Sequence, residues 1–365
     1  MENTGLTNKY TEIVSVLCLN FKGEINLARI RFMGLFILAL CKVKSVNYDR
    51  LASGFDSKAG KDSSYRRIQR FMGGFDLPMK LVSCFIFNLL PVKEQLVLVL
   101  DRTNWKFGDK NINILMLGVS YNGVAIPLMF RMLDKRGNSN TRERIGLVQQ
   151  YLDWFGAGTI DCLLADREFV GDDWLGFLND NNIRYYIRIR NNFKVYSYKK
   201  QKYVTAFWLF NQLSVNEFRH YRRIVGLHGQ KCYLSGCKTS AGDGKTGFLI
   251  IVSFNEPEQA AAYYKQRWQV ETLFKALKTS GFDMEKTHVT DLKRLERLLL
   301  LVMIALVWCY KTGDYIDTYV KKIKIKTHKR RAVSVFKYGL DFLSKELLSN
   351  IKSSKFNIFQ FLSCT

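Results

Sequence analysis

The chain has 365 residues, enough for two or three domains with a sizeable apolar core. Its 56 Lys and Arg against 32 Asp and Glu leave a net charge of +24, an excess that opposes compaction and points to a polyanionic partner, nucleic acid first. A membrane is the competing partner, but the longest apolar run, Leu298 to Tyr310, has 13 residues, too few to span a bilayer.

The opening MENTGLTNKY is no secretory signal, and eight scattered cysteines fit free thiols in a reducing cytoplasm. His228, Cys232 and Cys237 lack a fourth ligand and the spacing of a zinc site. Residues 1 to about 95 read as helical. Ile25 to Lys42 is an apolar-rich helix, Tyr48 to Gly54 a shorter one, and Ser63 to Met72 a third, with Ser63 or Ser64 as N-cap. The third carries Arg66, Arg67 and Arg70 beside Tyr65 and Phe71. Short helices ending in an arginine-rich one suit a helix-turn-helix-like DNA-binding module. A helical cap on the next domain is the plainer alternative.

At Gln95 the texture changes. LVLVLDRTNW opens with a continuous valine and leucine run, as in a central buried strand, and the strand is expected to end on Asp101, where a charge emerges at its carboxyl edge. Asn111 to Val119 and Gly123 to Leu133 flank Tyr121-Asn122-Gly123, a hairpin signal. Thr141 to Phe155 has helical spacing, and Thr159 to Ala165 is a second apolar strand ending in an acid, Asp166. A helix over Asp173 to Asn179 and a strand over Arg184 to Arg190 follow. Residues 191 to 246 hold 10 basic and 2 acidic residues. Short alternating pieces, Lys194 to Tyr198 and Arg219 to Val225, read as a β insertion whose interleaved aromatics and cations can grip nucleic acid. Gly244-Lys245-Thr246 is not a phosphate loop, because the position that must be Gly is Thr239 and no strand leads in. Phe248 to Phe254 is a last apolar strand. It feeds a helix, YYKQRWQVETLFKALK, from Tyr263 to Lys278. Steps of three, four and seven keep Tyr264, Arg267, Glu271 and Lys278 in one helical stripe, with Ala262, Val270, Leu273, Ala276 and Leu277 opposite. The basic run KKIKIKTHKRR, from Lys321 to Arg331, reads as a solvated basic tail or a DNA contact, and the net charge favours the contact.

Two buried strands each deliver an aspartate, and a late helix delivers Glu271. Three carboxylates brought together repel unless cations lie between them, and oxygen-only ligands suit Mg²⁺ or Mn²⁺. The order strand, hairpin, helix, strand, helix, strand, with acids so placed, resembles the ribonuclease H-like fold of DDE transposases. Tyr264-x2-Arg267-x3-Glu271-x6-Lys278 is similar to the Tyr-Arg-Glu-Lys signature of bacterial insertion-sequence transposases of family four. Leu98-Val99-Leu100-Asp101-Arg102-Thr103-Asn104-Trp105 resembles the block of that family's first Asp, and Leu164-Ala165-Asp166-Arg167-Glu168-Phe169 that of its second. The likeness runs from about Ser63 to Lys286. Glu168 departs from it, since members often carry Gly there, and a turn residue facing solvent is the expectation.

The resemblance implies an α/β protein. A helical DNA-binding region (1–94) would precede a ribonuclease H-like core in two parts (95–190 and 247–290) around a β-rich insertion (191–246), with a basic helical C-terminal region (291–365). It implies cut-and-paste transposition, with Asp101, Asp166 and Glu271 catalytic and holding two Mg²⁺ or Mn²⁺ ions. Tyr264, Arg267 and Lys278 would hold phosphates, while Trp268, or an insertion aromatic such as Trp208, would stack a flipped base if ends close as hairpins. The partners implied are double-stranded DNA, namely terminal inverted repeats and target DNA, and a second copy of the chain in the DNA complex. The setting implied is the bacterial cytoplasm and nucleoid. A DNA-binding protein of the same fold without catalysis, or a nuclease that does not join, are the alternatives.

Overall fold

The computed structural model describes residues 4–57, 59–240, 246–279, 281–327, 329–349 and 356–363. They form two compact units: Val92–Thr103 with Asn113–Leu273, and Met1–Pro91 with Asn104–Ile112 and Phe274–Thr365.

The first of these is built on a sheet. In chain order its strands are β1 (Leu96–Phe107), β2 (Lys110–Tyr121), β3 (Val124–Met132), β4 (Ile160–Ala165), β5 (Tyr185–Ile189), β6 (Lys194–Ser197), β7 (Lys202–Thr205), β8 (Phe218–His220), β9 (Val225–Leu227), β10 (Gln230–Ser240) and β11 (Thr246–Ser253). They lie in the order β3-β2-β1-β4-β5-β11-β10-β9-β6-β7, with β8 on β10. β1, β4 and β5 are parallel. Leu98, Val99, Leu100 and Cys162 to Ala165 are all fully buried, which is why the first two of these strands read as unbroken apolar runs. At the β2–β3 turn Asn122 and Gly123 both take positive φ, 45° and 90°, the backbone a two-residue hairpin requires. The helix before β4 runs Thr141–Phe155, held at its start by reciprocal bonds between Asn140 and Glu143. Asp172–Asp180 forms the helix that crosses from β4 to β5.

Two expectations change here. β1 does not stop at Asp101 but continues to Phe107; what stops is its partner, since the last β1–β4 pair is Leu100 with Ala165. Asp101 is therefore the first β1 residue past the end of β4. Arg219 to Val225 is split between β8 and β9, and β10 is a long strand that polar alternation hid. Because β10 pairs with β11 and β11 with β5, the insertion strands extend the central sheet. Of the Gly244-Lys245-Thr246 stretch, Gly244 and Lys245 lie outside the described residues.

In the helical unit α1 (Thr4–Phe21), α2 (Leu27–Val43), α3 (Tyr48–Ser53), α4 (Lys61–Gly74) and α5 (Met79–Leu89) pack with two late helices. Numbering the helices Thr141–Phe155 and Asp172–Asp180 as α6 and α7, and Ala260–Tyr264 and Gln269–Lys278 as α8 and α9, these late helices are α10 (Leu292–Tyr315) and α11 (Val335–Leu348). Every residue from Leu298 to Tyr310 is at most 1% exposed, so the long apolar run is the core of this unit. Among the described residues no helix is long and apolar enough to cross a membrane. α10 and α11 touch backbone to backbone. A Cβ at Gly339 would stand 1.8 Å from the Cys309 carbonyl oxygen, and one at Gly313 would stand 2.1 Å from that of Val335. α4 starts earlier than expected. Gly60, in extended backbone, is its N-cap, Asp62 occupies the first turn, where a helix favours an acid, and Ser64 is buried rather than capping. Arg66 and Arg70 are exposed, opposite buried Ile68 and Met72. The described part of the basic run is a short turn closed by pairing of Ile325 with Arg331; its lysines are exposed, and Arg331 bonds Asp317 at 2.9 Å.

Candidate functional site

The parallel strands β1 and β4 end their pairing together, so the next residues, Asp101 and Asp166, emerge at the same edge of the sheet. That edge meets the segment after β11. The expected continuous helix is in fact α8, a 3-10 turn over Lys265–Trp268, and α9. A 3-10 residue turns the chain by about 120° instead of about 100°, so four of them rotate everything downstream by roughly 80°. The even stripe is thus redistributed, and Ala262, expected on the packed side, is exposed. Val270, Leu273, Ala276 and Leu277 are buried as expected.

Arg267, 8% exposed, lies at the centre. Its Nη1 donates to Asp101 Oδ2 at 3.0 Å and stands 4.0 Å from Glu271 Oε1. Its guanidinium is 5.9 Å from the Tyr264 ring centroid and 5.7 Å from that of Trp268. The Tyr264 hydroxyl donates to Asp166 Oδ1 at 3.4 Å, and the Arg102 backbone N–H donates to Asp101 Oδ1 at 2.7 Å. Tyr264, Arg267, Asp101, Asp166 and Glu271 are therefore brought together. Trp268 is 66% exposed beside them, and Trp208 is 62% exposed on the insertion, stacked on Phe207. Neither indole is packed away. Lys278 belongs to the helical unit, where its ammonium donates to the Asn104 carbonyl at 2.9 Å, pairs with Glu285 and lies 5.5 Å from the Trp105 ring centroid.

Burial raises the Asp101 carboxyl to about 7. The Arg102 N–H and Arg267 work against that rise, and Glu271 and Asp166 add to it. Burial likewise lifts the Tyr264 hydroxyl above its ordinary range, so it remains a proton donor. An acid pushed towards protonation by burial, with two more acids adding to the rise, marks a site short of positive charge. Its donors are all oxygen, which fits a hard divalent cation. Among the described residues no three of His, Cys, Asp and Glu stand close enough together to hold one ion. Arg267 supplies the compensating charge instead.

Glu168 does not face solvent. Its two oxygens accept from Arg102 Nε and Nη2, both at 3.2 Å, and Arg102 also donates to Asn113 and Asn138. The residue after the first aspartate is thus clamped to the second residue past the other. The sequence signal for this pair was an Arg and a Glu flanking the two key acids, which only the strand pairing brings together. Three more arginines, Arg167, Arg188 and Arg190, line a cleft at this edge of the sheet and escaped the sequence reading as ordinary strand and loop residues.

The family profile described as "Transposase DDE domain" matches residues 93–308, more than half of the chain. No curated protein matches. Among solved structures, the chain is similar to the cryo-EM structure of a piggyBac transposase synaptic complex with hairpin DNA. The TM-score is 0.45 at 14% identity, over 97% of this chain and 78% of that one.

Proposed function

The chain belongs to the transposase DDE-domain family, and on that premise we propose that it cuts DNA at the ends of a mobile element and joins those ends to target DNA. The observation that carries this reading is the gathering of Asp101, Asp166 and Glu271 around Arg267 and Tyr264 at one sheet edge. The strand order β3-β2-β1-β4-β5, with β1, β4 and β5 parallel, supports a ribonuclease H-like core. The spacing of Tyr264, Arg267, Glu271 and Lys278 supports the insertion-sequence subgroup.

Asp101, Asp166 and Glu271 are the residues that would hold two Mg²⁺ or Mn²⁺ ions. Bound there, the ions would activate a water or 3′-hydroxyl and stabilise the leaving oxygen. The chain's own groups orient the substrate. Arg267 is rigid, buried and forked, suited to a non-bridging phosphate oxygen once Asp101 has another counter-charge. Tyr264 holds the Asp166 carboxylate in position through its hydroxyl. Glu271, with a side chain 45% exposed, can swing without unpacking a core. Trp268 offers a free ring face for an unstacked base. Arg66, Arg67 and Arg70 on α4, Lys278 and the Lys321 to Arg331 run serve the wider duplex, and a dimer brings two ends together.

The test is a strand-transfer assay with the element's own ends and Mg²⁺ or Mn²⁺, comparing the wild type with Glu271→Gln. Joined products from the wild type, reduced at least about 10³-fold in the variant, are expected, on the order of 4 kcal/mol of barrier. Cleavage without joining moves the reading to a nuclease. Equal tight binding with no chemistry in either protein leaves a DNA-binding protein.

A further inference from the structure

The edge that carries the acids does not end at Asp166. β5 is parallel to β4 with Ala165 opposite Ile187, so Arg188 falls in register with Asp166 itself. β11 runs antiparallel to β5 and β10 antiparallel to β11, so the start of β11 (Gly247, Phe248) and the end of β10 (Thr239) reach the same edge. Together with Arg167, Arg190, Asn191 and Asn192 these residues line a cleft of about 330 Å³. Three guanidiniums open into it, and among the described residues none of them is paired with a carboxylate. Like charges so gathered repel. Beside the acids, by contrast, Arg102 is paired with Glu168 and Arg267 with Asp101. The cleft sets these three arginines beside two asparagine amides and the Thr239 hydroxyl, and Gly247 leaves out a side chain that would meet Thr239 Oγ1.

We propose that this cleft grips a backbone phosphate of the DNA strand whose neighbouring linkage lies at Asp166. The proposal rests on the transposase reading above and adds the path of the strand. From Asp101 the strand passes over Asp166 and on across β5 towards β11. Neighbouring strands are about 4.8 Å apart, so the gripped phosphate lies roughly 5–10 Å from Asp166, about one linkage from the cut. Arginine suits this place because its planar fork binds two phosphate oxygens at once and its charge never titrates away. Arg188, half-buried, sets the depth of the phosphate; exposed Arg167 and Arg190 close on it from either side.

The experiment is a salt series of equilibrium binding to a duplex carrying the element's end, with wild type, Arg167→Ala, Arg188→Ala, Arg190→Ala and Arg190→Lys. Folding of each variant is checked by thermal unfolding. Arg167 and Arg190 are exposed, so their variants fold whatever happens at Arg188. Each alanine is expected to weaken binding roughly tenfold at 0.1 M salt and to lower the slope of log K against log salt by about one, with Arg190→Lys keeping the slope. A neutral methylphosphonate is then scanned along the linkages flanking the cut. At one linkage it should cost the wild type the same factor and cost Arg190→Ala almost nothing further, which locates the contact. Unchanged slopes in all three alanine variants, with the wild type still binding, would overturn the inference and leave the transposase reading standing. A wild type that does not bind end DNA would remove both. If inorganic phosphate at constant ionic strength stabilises the wild type against heat, the alanines abolish that, and the DNA slopes stay unchanged, the cleft holds a free anion and the strand path is wrong.

Discussion

The α10–α11 crossing and the acid-bearing edge of the sheet solve opposite problems. At the crossing, two glycines let backbones touch around a helix that is apolar for more than three turns. At the edge, a carboxylate, a guanidinium and a phenol are largely withdrawn from water, a second carboxylate stays exposed, and one acid sits near neutrality. The crossing gathers stability; the edge gives some up by holding charged groups away from water. Substitutions in the two regions should therefore move different measurements.

The largest effect on folding is expected at the crossing. Gly339→Leu drives a side chain into the Cys309 carbonyl and forces the helices apart, costing about 3 kcal/mol in denaturant unfolding, with the variant melting well below the wild type. A variant as stable as the wild type would show that the helices are not in backbone contact.

Asp101→Asn should do the reverse. In chelator, the wild-type carboxyl titrates near 7 when folded and near 3.8 when unfolded. Below the lower value it is neutral in both states. Between the two the folded state holds the extra proton, so stability falls as pH rises and levels off above about 7, a loss on the order of 4 kcal/mol. Asp101→Asn removes that slope, making the metal-free protein more stable at pH 8 while abolishing chemistry. The same pH dependence in variant and wild type would break the contrast between the regions.

The smallest effect on folding belongs to Trp268. Its ring is exposed, so Trp268→Ala should change stability by no more than about 0.5 kcal/mol. If it stacks a base, binding of a cut end should weaken by about 1–3 kcal/mol in a gel-shift titration.

Much of this was legible in the residues. Apolar runs marked β1 and β4 because both faces of those strands are covered, and Asn122-Gly123 marked the hairpin because few residues accept positive φ twice in succession. Steps of three and four found Tyr264, Arg267 and Glu271. What escaped was non-local or unmarked. The 3-10 turn at Lys265–Trp268 has no proline or glycine to announce it. The Arg102–Glu168 clamp joins residues far apart in sequence that only parallel pairing aligns. β10 mixes small and polar residues because it is half-covered, and α4 begins at a glycine where a serine looked the better cap.

The central claim is that the acids at this edge are the ligands of divalent cations that drive DNA chemistry. Asp166→Cys tests it most directly, because a thiolate binds Mg²⁺ poorly and softer ions better. DNA cleavage is measured for wild type and Asp166→Cys in Mg²⁺ and then in Mn²⁺. The account predicts that the variant is inactive in Mg²⁺ and regains part of its cleavage in Mn²⁺, while the wild type works in both. Full activity of Asp166→Cys in Mg²⁺ would contradict it.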